Sequence, residues 1–238
     1  WLRLYGYTSL EHSSIFRAPH FTTVDSNDSG MQPTLTYAGK VYRNFEEAAS
    51  KAAEDLATSA DAIDRRFAVS ALNRVGHEAA PHAETLIAAL KDEDQGVRYW
   101  AIIALAGLAD EVDAPPADVA ALLEEADPGI RYWAAVHLGR SGPKAAEHAG
   151  VLTAALKDSD PDVRVVSATA LLTVDPSSVP DVVKVTSSTL QYKFGESFFR
   201  VSAAQTLGAL GPAALPEAPA LGKALSDKYA TVRKAAAV

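Results

Sequence analysis

The 238-residue sequence contains no cysteine and a single methionine. The absence of cysteine excludes a disulfide framework, a thiol nucleophile and any zinc site built from cysteine ligands. It does not identify the redox compartment, because cysteine-free chains are compatible with reducing and oxidising surroundings alike. The location of the protein is therefore left open, with an organelle or an exported compartment among the options.

Positive charge is scarce, and long hydrophobic runs are lacking. The chain has 22 lysines and arginines against 30 acidic residues, a formal net charge of −8. Binding of DNA or RNA requires concentrated basic residues that displace counterions from phosphates. A membrane-spanning helix needs about 18 consecutive apolar residues, and no run approaches that length. We expect neither a nucleic-acid partner nor a membrane span.

Motifs for catalysis and metal binding are also lacking. The six histidines show neither the His-x₃-His nor the His-Glu-x-x-His spacing of metal sites. The sequence has no Gly-x-Ser-x-Gly, phosphate loop or dinucleotide fingerprint. Its carboxylates are concentrated in polar turns, where solvent keeps a catalytic pKa from arising. We predict a protein that is not an enzyme and that uses no metal or cofactor.

The composition is that of a folded protein with a sizeable core, since 48% of the residues are hydrophobic and 22% are charged. The sequence begins at Trp1 without a cleavable signal, and it stops at Val238, where a helical pattern has just restarted at Arg233. We expect a processed or truncated piece of a longer polypeptide.

An internal repeat is the dominant feature. Segments such as GVRYWAIIALAGL, GIRYWAAVHLGRSG and DVRVVSATALLTV align through one arginine each, and the arginines are spaced by 33, 33, 33, 36 and 33 residues. This arginine column consists of Arg65, Arg98, Arg131, Arg164, Arg200 and Arg233. A register maintained over six units indicates a repeated structural element.

Other columns of the repeat show that each unit contains two helices. Seven residues after the arginines stand leucines, and three residues after them stand alanine or serine. In one unit Val97, Ala101, Leu105 and Leu108 fall on one face of a helix. Upstream pairs such as Leu86 and Leu90 predict a second, shorter helix, with a polar turn between the two. Neither helix can bury its apolar stripe alone, so the units must stack.

The pattern D-x-D-P-x-V-R-x-x-A-x-x-A-L-x-x-x-G resembles the short HEAT-like repeat of the phycobilisome-lyase type. The resemblance covers residues 46–238 and implies an all-α fold, a right-handed α-solenoid of about six stacked helix-turn-helix repeats, truncated within the last one. The signatures of tetratricopeptide and ankyrin repeats are missing. The fifth unit has three extra residues in QYKFGESFF, from which we expect a local bend.

Residues 1–45 differ from the repeats. They hold eight of the 18 aromatic residues and are rich in serine and threonine. We predict a mostly irregular, extended N-terminal arm that packs on the first repeats or on another protein. Thr34–Tyr37 and Val41–Phe45, around Ala38-Gly39-Lys40, favour a small hairpin.

The arginine column has a structural and a functional interpretation, a scaffold contact or a series of anion sites. We favour the scaffold contact, because charges fixed by a repeat usually serve the fold. Each arginine would pair with the turn acid four residues before it, and these acids are Asp94, Asp127 and Asp160.

The middle repeats carry an apolar strip that indicates a surface for a partner protein. Trp100 and Trp133 are assigned to packing. The columns one, four and five residues after the arginines are apolar throughout in these repeats, whereas elsewhere they include Arg66, Ser70, Thr169 and Gln205. The alternative is that curvature of the solenoid buries this strip. The candidate partner-binding residues are Tyr99, Ile102, Ile103, Tyr132, Val136 and Phe198.

These observations favour a non-catalytic scaffold or peripheral subunit that binds a protein partner in a larger assembly. Two alternatives remain open. The repeats resemble the C-terminal accessory part of some exported sulfatase-like hydrolases, although the C/S-x-P-x-R motif is missing. The family resemblance also allows a bilin-lyase-like subunit that delivers a chromophore, although no cysteine or dedicated pocket supports it.

Overall fold

The computed structural model describes residues 34–112, 116–190 and 197–237, with the backbone alone at Pro116 and at residues 197–199. The first helices of the repeats are α1 (Phe45–Thr58), α3 (Ala83–Ala89), α5 (Pro116–Ala121), α7 (Ala149–Ala155), α9 (Val179–Leu190) and α11 (Ala218–Ala224). The second helices are α2 (Ala62–Val75), α4 (Gln95–Gly107), α6 (Pro128–Ser141), α8 (Pro161–Val174), α10 (Ser197–Leu210) and α12 (Ala230–Ala236). The predicted all-α helical-repeat fold is confirmed.

The chain forms two compact units, Trp1–Val119 and Ala120–Val238. In the first unit α1 packs on α2, and α2 packs on α4. In the second unit α6 packs on α8, α9 lies against both α8 and α10, and α10 packs on α12. Within each unit, second helices of consecutive repeats therefore lie side by side.

A two-stranded antiparallel hairpin precedes α1, and it joins β1 (Leu35–Tyr37) to β2 (Lys40–Tyr42). Ala38 and Gly39 both have positive φ, 46° and 75°, as a tight two-residue hairpin turn requires. The second strand ends earlier than the predicted Val41–Phe45, because the Asn44 side chain accepts hydrogen bonds from the first amides of α1. The part of the predicted arm before residue 34 lies outside the described residues.

The hairpin is attached to α1 through buried side chains. Leu35, Tyr37 and Tyr42 are all buried. The Tyr37 hydroxyl donates a hydrogen bond of 2.8 Å to a carboxylate oxygen of Asp55 on α1. Burial and this carboxylate raise the pKa of Tyr37 well above its usual range. The tyrosine therefore stays protonated and remains a donor at any physiological pH.

The core follows the repeat columns. The leucines seven residues after the arginines are completely or almost completely buried, and they are Leu72, Leu105, Leu138, Leu171 and Leu207. The column three residues after the arginines holds Ala68, Ala101, Ala134, Ser167 and Ala203, which are equally buried. Small side chains in this column let the second helix approach its neighbours closely.

Alternate repeats end differently, which the 33-residue period alone does not predict. Gly76, Gly142 and Gly211 have positive φ at the ends of α2, α6 and α10, and each starts a seven-residue 3₁₀ segment. After α8 the chain instead passes through Asp175, whose side chain accepts a hydrogen bond from the Ser177 amide. Glycine is favoured at positions 76, 142 and 211, because a backbone with positive φ costs glycine little free energy.

Among the described residues, a glycine permits a close approach of two backbones between α6 and α8. A methyl group on Gly139 would come within 2.9 Å of both Cα and Cβ of Ala170. The Thr173 hydroxyl also donates a hydrogen bond of 2.8 Å to the Gly139 carbonyl. The two helices therefore touch backbone to backbone at this point.

Gly139→Ala should lower the free energy of unfolding by about 1–3 kcal/mol, because the added methyl group forces α6 and α8 apart. Gly208→Ala is the matched control, since Gly208 occupies the same column in α10 and a methyl group there meets nothing within 4 Å. That variant should be neutral or gain about 0.5–1 kcal/mol from better helix propensity. Urea titrations of both variants test the contrast, and equal effects would contradict it.

Candidate functional site

The arginine column forms ion pairs between consecutive repeats. Arg131 donates from Nε and Nη2 to the two carboxylate oxygens of Asp158, both at 2.8 Å. Arg65 binds Asp92 in the same way at 2.8 and 2.9 Å. Arg200 and Asp227 repeat the pair, with Nε at 2.8 Å. In each case the aspartate lies 27 residues after the arginine. We call these pairs the arginine ladder.

The remaining nitrogen of each fork is also used. Arg131 Nη1 donates to the carbonyls of Glu125 and Ala126, at 2.8 and 2.9 Å, in the turn before its own helix. Equivalent contacts to two turn carbonyls are made by Arg65, Arg98, Arg164 and Arg233. Each of these five arginines therefore holds its own turn, and two of them, Arg65 and Arg131, also hold the next repeat.

The predicted partners of the ladder were wrong, although its scaffold role agrees with these contacts. Asp94, Asp127 and Asp160 cap α4, α6 and α8, because their side chains accept hydrogen bonds from the first backbone amides of those helices. A carboxylate four residues before the arginine stands at the helix start, where these amides lie within reach. The carboxylate that pairs with the arginine comes from the following repeat.

Asp94 has a second role in the first unit. Arg66 on α2 donates from Nε to the Asp94 carboxylate at 2.6 Å. A side chain on Gly96 would collide with this arginine, whose Nε lies 2.7 Å from the position of a Cβ. This bridge from α2 to the start of α4 therefore depends on a glycine in the first turn of α4.

The ladder carboxylates are more acidic than ordinary aspartates. Burial by itself would raise the pKa of Asp158, but hydrogen bonds from Arg131 and from the Asp160 amide, with the charge of Arg131, lower the pKa below its usual value. The same balance lowers the pKa of Asp92 beside Arg65. These carboxylates remain ionised at neutral pH.

The structure buries most of the predicted partner-binding residues. Tyr99 is 2% exposed and Tyr132 is 5% exposed, and Ile102 and Ile103 are buried too. These four side chains are therefore not accessible to a partner in this fold. Val136 is half-buried, and the side chain of Phe198 lies outside the described residues.

Helix geometry explains why the tyrosine column is inside. Successive residues of a helix are rotated by about 100°, so the positions one, four and eight residues after the arginine lie on the flank of the helix. On α6 this flank includes Gly139, which touches Ala170 of the neighbouring second helix. The positions two, five and nine residues after the arginine lie opposite the leucine core.

The accessible side chains among these positions form one outer strip on each unit, whereas Ser70 and Ile103, five residues after Arg65 and Arg98, are buried. In the first unit it comprises Ile63, Phe67 and Arg74 on α2 and Trp100 on α4, where Ile63 stands one turn before Phe67. In the second unit it comprises Trp133, Val136 and Arg140 on α6 and Val166 and Thr169 on α8. Ile63 is 56% exposed, and Phe67, Trp100, Trp133 and Val166 are half-buried. The outer strip is therefore apolar, aromatic and accessible.

A buried tyrosine supports each tryptophan of the outer strip. The rings of Tyr132 and Trp133 meet edge to face, with centroids 5.5 Å apart and an interplanar angle of 85°. Tyr99 and Trp100 repeat this geometry at 5.7 Å and 81°. Because the tyrosines are buried, they restrict the tryptophan rotamers, and a partner would lose little conformational entropy by binding to them.

Sequence reasoning did not single out the outer strip, and it assigned the two tryptophans to packing alone. The signal was present, since Phe67, Trp100, Trp133 and Val166 occupy one column of the repeat. It also missed the ladder aspartates, although their constant distance of 27 residues from the arginines was visible.

Other parts of the described chain give no sign of chemistry. An open cleft of about 400 Å³ lies between α1 and α3 and is lined by small and polar residues such as Ala57, Thr85 and Ala88. Over residues 34–112, 116–190 and 197–237, no group of histidines and carboxylates could hold a metal ion. In the same ranges no helix is both long and apolar enough to span a membrane.

Comparison with known proteins confirms the HEAT-like resemblance. A family model of HEAT repeats matches residues 50–118. No curated protein matches the sequence. Among solved structures, the archaeal HEAT-like repeats protein from Thermococcus onnurineus NA1 is 18% identical, with a TM-score of 0.55 over 81% of this chain and 89% of that chain.

Two further structures share the fold. The complex of CpcE and CpcF of phycocyanin lyase from Nostoc sp. PCC7120 matches with 21% identity and a TM-score of 0.53, over 79% of this chain and 80% of that chain. A designed armadillo repeat protein in complex with the peptide (KR)4 matches with 16% identity and a TM-score of 0.56, over 80% and 97%. At these identities the likeness is one of fold, a fold typical of protein-interaction scaffolds.

Asp158→Asn should lower the free energy of unfolding at pH 7 by about 2–3 kcal/mol, because Arg131 would keep a buried charge without its partner. The folded pKa of Asp158 is depressed, so the stability that it contributes is complete above its unfolded value of about 3.9 and is lost as pH falls through the folded pKa. Urea titrations from pH 7 to 3 should show the two proteins converging.

Asp181→Asn is the control for this prediction, because Asp181 is an exposed acid in the first turn of α9. It should change stability by about 0.5 kcal/mol or less. Equal losses in the two variants at pH 7 would contradict the assignment of the ladder.

Proposed function

We propose that this chain is a non-catalytic scaffold whose outer strips each bind an apolar segment of another protein. The observation that carries the proposal is that each strip has a half-buried tryptophan held by a buried tyrosine, Trp100 in the first unit and Trp133 in the second. Large aromatic side chains in well-packed surroundings are the residues that most often dominate binding energy at protein interfaces.

Each outer strip suits a partner segment that is apolar. Phe67 and Trp100 in the first unit, and Trp133 and Val166 in the second, present half-buried apolar side chains. A segment with hydrophobic side chains would complement these surfaces better than a basic peptide such as the (KR)4 of the designed armadillo protein.

The two alternatives from the sequence remain weaker proposals. Likeness to the phycocyanin lyase subunits concerns the fold, and fold alone does not assign function. No catalytic constellation supports a role as part of a hydrolase within the described residues. Isolation of the protein from its source separates the three hypotheses. A stoichiometric protein partner identified by mass spectrometry supports the scaffold, and a coloured sample supports the chromophore-delivery hypothesis.

Trp133→Ala and Trp100→Ala should each weaken binding of that partner by about 2 kcal/mol, or about 30-fold in Kd. The loss is expected because the anchoring aromatic surface is removed while its supporting tyrosine stays in place. Isothermal titration calorimetry with the purified partner measures the effect. Circular dichroism should show unchanged helical content, since neither tryptophan is fully buried.

Leu215→Ala is the matched control for the tryptophan variants. Leu215 is 68% exposed and lies in the 3₁₀ segment Gly211–Glu217, away from the outer strip. This variant should bind with wild-type affinity. Wild-type affinity in both tryptophan variants would contradict the proposal, as would isolation of the chain without any partner.

A further inference from the structure

The indole nitrogen of Trp133 is a buried hydrogen-bond donor without an acceptor. Its Nε1 is shut off from water, and it makes no hydrogen bond to any described residue. Trp100 occupies the same column in the first unit, but its indole nitrogen is not among the buried side-chain atoms that lack a partner. Most buried polar groups in folded proteins form at least one hydrogen bond, because leaving one unmade is costly. The donor of Trp133 therefore needs an explanation beyond packing.

The neighbouring side chains of the outer strip in the second unit do not supply an acceptor. Val136 and Val166 are half-buried and apolar. The Thr169 hydroxyl donates to the Val165 carbonyl at 3.0 Å and lies 3.4 Å from the Thr206 hydroxyl, so it already has two partners. Backbone carbonyls inside α6 and α8 accept the amide hydrogen bonds of their own helices. An acceptor for the indole must come from outside these two helices.

The ring that carries this donor reaches the surface, although its nitrogen does not. Trp133 is half-buried, and the buried ring of Tyr132 holds it edge to face. A segment that packs on the exposed part of the indole can reach the nitrogen once the side chains that cover it move. The hydrogen bond gained favours that movement, because the donor is unsatisfied without it.

We propose that the segment bound to the outer strip of the second unit accepts a hydrogen bond from Trp133 Nε1 through a backbone carbonyl. This inference rests on the proposed function, in which the segment is apolar. Apolar side chains have no acceptor, so the main chain must supply it. Carbonyls inside a helix are already bonded to amides of the same helix, so the segment binds in an extended conformation. Extended segments of the polyproline type leave their carbonyls free and pack well on aromatic surfaces.

Replacement of the indole nitrogen alone tests the unsatisfied donor in the free chain. In Trp133→benzothienylalanine, introduced at this one site by codon reassignment, sulfur takes the place of Nε1–H and the ring keeps its shape. We expect the folding equilibrium constant to rise about fivefold or more, because a buried donor without an acceptor is removed. The same replacement at Trp100 is the matched control and should change the constant by less than about twofold. Urea titrations measure both, and a constant that stays the same or falls at Trp133 overturns the proposal.

The partner protein that copurifies with the chain provides the second readout. The benzothienylalanine variant at position 133 should bind this partner about tenfold more weakly than the wild-type chain, because the carbonyl of the segment loses its donor. Stability and affinity should thus change in opposite directions, which a simple loss of packing would not produce. Isothermal titration calorimetry measures the affinities, and equal values overturn the carbonyl contact.

The variant Trp133→Ala separates failure of this inference from failure of the proposed function. If Trp133→Ala weakens binding and the benzothienylalanine variant does not, the outer strip is the binding surface and only the hydrogen bond is wrong. If neither change weakens binding, or if no partner copurifies, both proposals are overturned.

A synthetic peptide tests the conformation of the segment. Its sequence is that of the part of the partner whose amides the chain protects from hydrogen exchange. The circular dichroism of the complex should equal the sum of the two separate spectra in the helical band, because the segment binds without forming a helix. A gain of helical signal on binding overturns the extended conformation and the carbonyl contact with it.

Discussion

The contact between a buried arginine and an aspartate of the next repeat sets the spacing on which the rest of the structure depends. A helical hairpin with one apolar stripe per helix is not stable alone, and an apolar contact between hairpins tolerates sliding. The fork of Arg131 removes that freedom, because Nη1 is bound to its own turn while Nε and Nη2 are bound to Asp158. The cost of burying both charges is offset only when this geometry is satisfied.

Once the spacing is set, the role of each helix face follows. The flank of α6 that carries Gly139 must lie against α8. The column of small residues that stands three positions after the arginines must face the core. The residues opposite the core are left to solvent. Tyr132 and Trp133 are adjacent in sequence, yet a rotation of about 100° buries the first and exposes the second. The accessible tryptophan is thus a consequence of how the repeats stack.

The repeat, the two helices per unit, the turns and the core columns could be predicted from the sequence, because these features depend on local periodicity. The carboxylates that pair with the arginines could not. The distance of four residues to Asp127 suggested a pair, but that carboxylate is used by the amides at the start of α6. Which acid remains for Arg131 is decided by the neighbouring repeat, and contacts between repeats are not encoded in any one unit.

The same reason explains why burial of the apolar strip was not predicted. The apolar side chains of Tyr99, Ile102 and Tyr132 suggested an accessible surface, but all three are buried in the fold. Only the direction in which neighbouring helices pack distinguishes this column from the next, which holds Trp100 and Trp133. The positive-φ glycines at alternate repeat ends were likewise hidden, because a 33-residue alignment averages over a difference that recurs in every second unit.

The aromatic residues opposite the core differ from an ordinary exposed apolar patch. Trp133 is half-buried, and its ring meets the buried ring of Tyr132 edge to face. Since the fold already fixes the aromatic side chain, binding there would draw on apolar area with little loss of conformational entropy. The same stacking that buries Tyr132 thus gives its neighbour a defined position at the surface.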